Sequence, residues 1–107
     1  MSLDVSLVDE HGEEMFHKNI THNLNQMADK AGMYYHLWRP DEIDVVVAEQ
    51  LIAPLHKGLL ELVEKPDFYK QYNPPNGWGS YDYLVIFVKE YLQACILNPT
   101  LKVEVCR

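Results

Sequence analysis

A chain of 107 residues, 48% of them apolar, is long enough to bury one hydrophobic core and too short for two, so a single domain over residues 1–107 is expected. Its 11% aromatic and 23% charged residues exclude a disordered chain of low hydrophobicity and high charge. The net charge of -7 argues against a basic stripe able to displace counterions from phosphates, so neither direct nucleic-acid binding nor attachment to an anionic membrane surface is expected.

Leu3, Val5 and Leu7 alternate with polar neighbours, the period of a half-buried strand. His11 and Gly12 supply a turn. "EMFHKNIT" then sets Phe16, Lys18 and Ile20 on one face and Met15, His17 and Asn19 on the other, which predicts a β-hairpin. Next the period becomes helical: Ile20, Leu24, Met27, Ala28 and Ala31 share a face, with Thr21 placed as N-cap and Gly32 as terminator. "MYYHLWRP" carries three aromatic residues and a histidine to a break at Pro40, because a proline biases the preceding Arg39 away from helical geometry.

Asp41 to Glu64 reads as a second helical region with Ala48, Leu51, Ile52, Leu59, Leu62 and Val63 inward. Pro54 inside it lacks an amide donor, which predicts a kink or two abutting helices divided near Ala53 to Leu55. "KPDFYKQY" suggests a short helical turn and "NPPNGWGS" a loop. Leu84, Phe87, Val88, Tyr91, Leu92 and Cys95 repeat at three and four and mark the last helix, which Asn98-Pro99 ends. Leu101, Val103 and Val105 form the inner face of a final strand. The order ββααα(α)β implies an α+β fold, a three-stranded, mainly antiparallel sheet packed against three to four helices.

The longest apolar run, "YLVIFV" at 83–88, is far shorter than the roughly 20 residues of a membrane span. "MSLDVSLVDEHG" has neither a basic opening nor an apolar stretch, so no secretory signal is expected and the setting is read as cytoplasmic. In that setting the Asn19-Ile20-Thr21 sequon is a coincidence. Cys95 and Cys106 form no CxxC pair, and Cys95 falls on a helical apolar stripe where a free thiol serves as a small core residue. The five histidines show neither HExxH nor a pair at i, i+4, and no GxGxxG or Walker loop occurs, so no metal and no cofactor is expected.

Three stretches carry more polar and aromatic groups than packing requires: "NITHN" at 19–23, "HLWRP" at 36–40 and "NGWGSY" at 76–81. The first and third open helices, whose free amides attract anions or carbonyls. The second supplies Arg39, a planar donor suited to carboxylate or phosphate. Converging loops would build a ligand-binding pocket from Asn19, Thr21, His22, Asn23, Trp38, Arg39, Asn76 and Trp78. The competing structural reading gives Thr21 and Ser80 or Asn76 as helix caps and the two tryptophans as core edges bonded through their indole N–H groups.

Read together, "NITHNLNQMADKAGMYYHLWRP", "LIAPLHKGLLEL", "NGWGSYDYLVIFVKEYLQAC" and "NPTLKVEV" resemble a family of small bacterial and phage proteins. That family has no established activity, so the resemblance implies a cytoplasmic or phage-associated setting and transfers no catalytic residue. The expectation is a non-catalytic binding or interaction module that uses the three loops to hold a small polar ligand or a protein partner. Two rivals stand beside it. One is a small enzyme with His22 as acid/base and Arg39 as electrostatic clamp. The other is an acidic inhibitor that imitates nucleic acid in a partner's basic groove.

Overall fold

A computed structural model describes residues 2–77 and 79–107. Strands β1 (Ser2–Val8), β2 (Glu14–Thr21) and β3 (Lys102–Cys106) form one antiparallel sheet in the order β2-β1-β3. The hairpin closes where Asp9 Oδ1 accepts the amides of His11 and Glu13, each at 2.9 Å, over a left-handed Gly12. Strand β1 is central because Leu3, Val5 and Leu7 need cover from both neighbours. Val5 lies between Lys18 and Val105, and Leu7 between Phe16 and Val103. All three are fully buried. The other sheet face carries Asp4, Ser6, His17, Glu104 and Cys106, as the two-residue period demands.

Among the described residues, five α-helices and two 3-10 turns lie between β2 and β3 in sequence, and α5 packs against β2. A 3-10 turn over His22–Leu24 leads into α1 (Asn25–Lys30), and α2 (Tyr34–Trp38) precedes a second 3-10 turn over Pro40–Ile43. Helix α3 (Glu49–Glu64) packs against α5 (Tyr81–Leu97), with the short α4 (Pro66–Lys70) between them in sequence. Thr21 and Ser80 are both caps: Thr21 Oγ1 accepts the Asn23 amide at 3.2 Å and Ser80 Oγ the Tyr83 amide at 3.3 Å. The buried apolar residues other than Val8 form one cluster drawn from the sheet and every α-helix. Among the described residues, no helix is long and apolar enough to cross a membrane.

For 41–64 one expectation is corrected and another narrowed. Residues 41–48 are not helical beyond the 3-10 turn; Asp44 turns the chain with a left-handed φ of 61°, and Val47 bridges to Lys102 of β3. Three consecutive β-branched residues, Val45, Val46 and Val47, favour extended backbone, and the edge of β3 offers it partners. Of the two alternatives at Pro54, a kink or two abutting helices, the second is excluded, for α3 is one element through it. The missing amide lies past the free N-terminal amides of α3, so it removes a bond to the Gln50 carbonyl, and the buried stripe Leu51, Leu55, Gly58 and Leu62 holds the segments on either side in register. Gly58 faces Met33 so closely that a Cβ there would overlap its side chain.

Cys95 lies within the core on α5. Burial pushes its thiol up to about 12, so it stays protonated and inert at neutral pH.

Candidate functional site

The polar stretch 19–23 forms the end of β2 and the first turn after it, and each residue there has a definite task. Ile20 ends the strand on its buried face, and the Asn19 carbonyl accepts the Tyr83 hydroxyl at 3.1 Å, tying β2 to α5. Thr21 is the cap and Asn23 an exposed residue whose amide it receives. His22 reaches across to α2, where the Trp38 indole Nε1–H donates to its Nδ1 at 2.9 Å. An indole nitrogen only donates, so Nδ1 is the acceptor and the neutral ring carries its proton on Nε2. His22 therefore presents a donor on its remaining side.

Trp38 is buried, 2% exposed, and stacks on Tyr34 with centroids 5.8 Å apart and planes 11° from parallel. Tyr34 in turn meets Tyr35 edge to face at 5.3 Å and accepts from Arg39 Nε at 3.0 Å. Arg39 Nη1 donates to Glu42 Oε2 at 2.6 Å. Tyr34 first and Glu42 second hold the guanidinium firmly charged, raising it above the ordinary arginine value. Arg107 joins from beyond β3, donating to the Trp38 carbonyl at 3.2 Å and to Asp41 Oδ1 at 2.9 Å. That arginine is the main cause of the lowered Asp41 pKa. Arg39 is thus a strut of the α2 terminus, with two of its donors already committed.

The third loop meets the first through backbone. Gly79 has φ +98°, and a Cβ there would lie 2.8 Å from Thr21 Cγ2 and 3.0 Å from Leu24 Cγ. A left-handed conformation and a close approach both select glycine at this point. Asn73 Oδ1 secures the same loop by accepting the Tyr81 amide at 2.7 Å. Asn76 is exposed and has an interaction of its own within the chain. Trp78 lies outside the described residues.

The loops 19–23 and 36–40 are therefore joined by the His22–Trp38 bond, and 19–23 abuts Gly79. Beside this junction, α1 and α2 flank a shallow, open cleft of about 390 Å³ lined by Asn25, Gln26, Asp29, Tyr34 and Tyr35. Sequence reasoning missed these lining residues. The available signal was the pairing of Asn25 with Asp29 at i, i+4 on the polar side of α1, opposite a tyrosine pair. The cleft offers two carboxamides, one carboxylate and two aromatic rings, a set suited to a cation that can also donate hydrogen bonds. Among the described residues, no group of three or more His, Cys, Asp or Glu is placed to hold a metal ion. Comparison with family models, curated proteins and solved structures finds no match to this chain.

Proposed function

We propose that the protein is a non-catalytic binding module of the cytoplasm, and that the α1–α2 cleft beside the His22–Trp38 junction holds a small polar cation. The guanidinium or ammonium of a free ligand, or of a basic side chain on a protein partner, satisfies the same groups. The observation that carries this reading is the cleft itself, with Asp29, Asn25 and Gln26 facing Tyr34 and Tyr35. Tyr34 is fixed from behind by Trp38 and from the side by Arg39, so its ring needs little reordering when a ligand arrives. The net charge of -7 favours encounter with cations.

Arginine amide is a suitable probe, with citrulline amide as its uncharged isostere. Tyrosine and tryptophan fluorescence is expected to titrate to saturation with arginine amide, and citrulline amide to bind about tenfold or more weakly. Asp29→Asn keeps the shape of the cleft and removes its charge, and is expected to bring the two probes to similar affinity. Equal binding of both probes by the unmodified protein overturns the reading.

A further inference from the structure

The outer edge of β3 is only half covered. Ala48 N–H donates to the Leu101 carbonyl at 2.9 Å, and Val103 N–H donates to the Val46 carbonyl at 2.9 Å, so residues 46–48 form a fragment of a fourth strand. The fragment ends there because Gln50 Oε1 takes the amides of Val46 and Val47, at 2.7 and 3.0 Å, while its Nε2 donates to the Asp44 carbonyl. Asp44 then turns the chain away. Backbone groups alternate along an antiparallel strand, so if Val103 directs its amide outward, Val105 does so too. Opposite Val105 the edge opens into a groove of about 510 Å³ lined by Pro40, Asp41, Val45, Val103, Glu104, Val105 and Arg107.

Pro40, Val45, Val103 and Val105 line the groove with apolar groups and Asp41, Glu104 and Arg107 with charged ones, and Ile43 and Val46, close in sequence to Val45, are 37% and 57% exposed. Asp41 and Glu42 are already paired with Arg107 and Arg39, and of the neighbouring exposed charges outside these pairs two, Glu104 and Asp44, are negative and one, Lys102, is positive, which leaves a small negative excess. An occupant must therefore supply a backbone donor and acceptor for Val105, an apolar side chain for the walls, and positive charge for the rim.

We propose that this edge is a docking site for a short extended peptide in which a β-branched apolar residue is flanked by basic ones. The peptide continues the strand that residues 46–48 begin, forming main-chain bonds with Val105 and seating its apolar residue between Val45 and Val103. This surface is separate from the α1–α2 cleft, with which it shares no lining residue.

The test uses acetyl-Lys-Val-Lys-Val-Lys-amide and its Glu-for-Lys counterpart, followed by amide NMR and hydrogen exchange on the whole chain. The expected result is saturable shifts at Val45, Val103 and Val105, with exchange of the Val105 amide slowed about tenfold or more. The acidic peptide is expected not to bind. Val105→Pro removes the outward donor without breaking a bond to β1 and should abolish the shifts at Val45 and Val103. Glu104→Lys, an exposed substitution that keeps the fold, should weaken binding about three- to tenfold. The proposal is overturned if the basic peptide leaves these amides unmoved, if both peptides bind equally, or if Glu104→Lys binds unchanged. Shifts confined to β2 or to residues 25–35 overturn it as well. Those at 25–35 would leave the reading of the α1–α2 cleft standing.

Discussion

Trp38 joins two of the polar stretches through one hydrogen bond, and its value can be measured directly. Trp38→Phe keeps an aromatic ring against Tyr34 but leaves His22 Nδ1 without its donor, and should cost about 1–2 kcal/mol in urea denaturation. Gly79→Ala combines a left-handed backbone with a close contact to Thr21 and should cost more than about 1 kcal/mol by the same assay. His36 gives a residue-scale pH effect. Burial lowers its pKa from the ordinary 6.5, the Gly32 carbonyl opposing only in part, and Nδ1 has no hydrogen-bond partner among the described residues. The unfolded chain takes up this proton first, so the contribution is fully present above pH 6.5 and falls as pH drops toward the folded value. His36→Gln should flatten the decline in melting temperature between pH 7 and pH 5, about the window in which an ordinary histidine titrates.

At the scale of elements, Gln50 sets where α3 begins and where the fourth-strand fragment ends. Gln50→Ala leaves the Val46 and Val47 amides without their side-chain acceptor and should cost about 1–2 kcal/mol, with faster exchange at those two amides. Pro54→Ala restores an amide donor within α3 and should stabilise the chain by about 1–3 kcal/mol. The regular elements were legible because their apolar residues alternate by two in β1, β2 and β3 and recur at three and four in α5. The capping roles of Thr21 and Ser80 were legible too, since a hydroxyl before a helical stripe has few other uses. Residues 41–48 misled because their apolar positions also fit a helical face, and only the edge of β3, fifty-odd residues further along, decides in favour of extended backbone. In the candidate site, His22, Trp38 and Arg39 stood out by residue type. Their partners did not, because Tyr34, Asp29 and Arg107 are placed by helix phase and by the return of β3 rather than by local composition.

For the whole molecule, one apolar cluster holds the sheet against the helix layer, and a network of charged residues closes the end where α2, the second 3-10 turn and β3 meet. Arg107 is the main cause of the lowered Asp41 pKa, and Lys65, then Tyr69, of the lowered Glu61 pKa. Groups depressed on folding stabilise the chain above the ordinary carboxylate range and cease to do so as pH falls through their folded values. Acid unfolding is thus expected to steepen below about pH 4, and high salt to shift it little for Asp41→Asn, which has lost its charge pair already. Recognition of a cation at the α1–α2 cleft is the central claim, and amide NMR during titration with arginine amide tests it most directly. Saturable shifts are expected at Asn25, Gln26, Asp29, Tyr34 and Tyr35, together with a displaced Trp38 indole N–H signal, and their loss in Asp29→Asn. Unmoved signals at these residues, or equal shifts in Asp29→Asn, would contradict it.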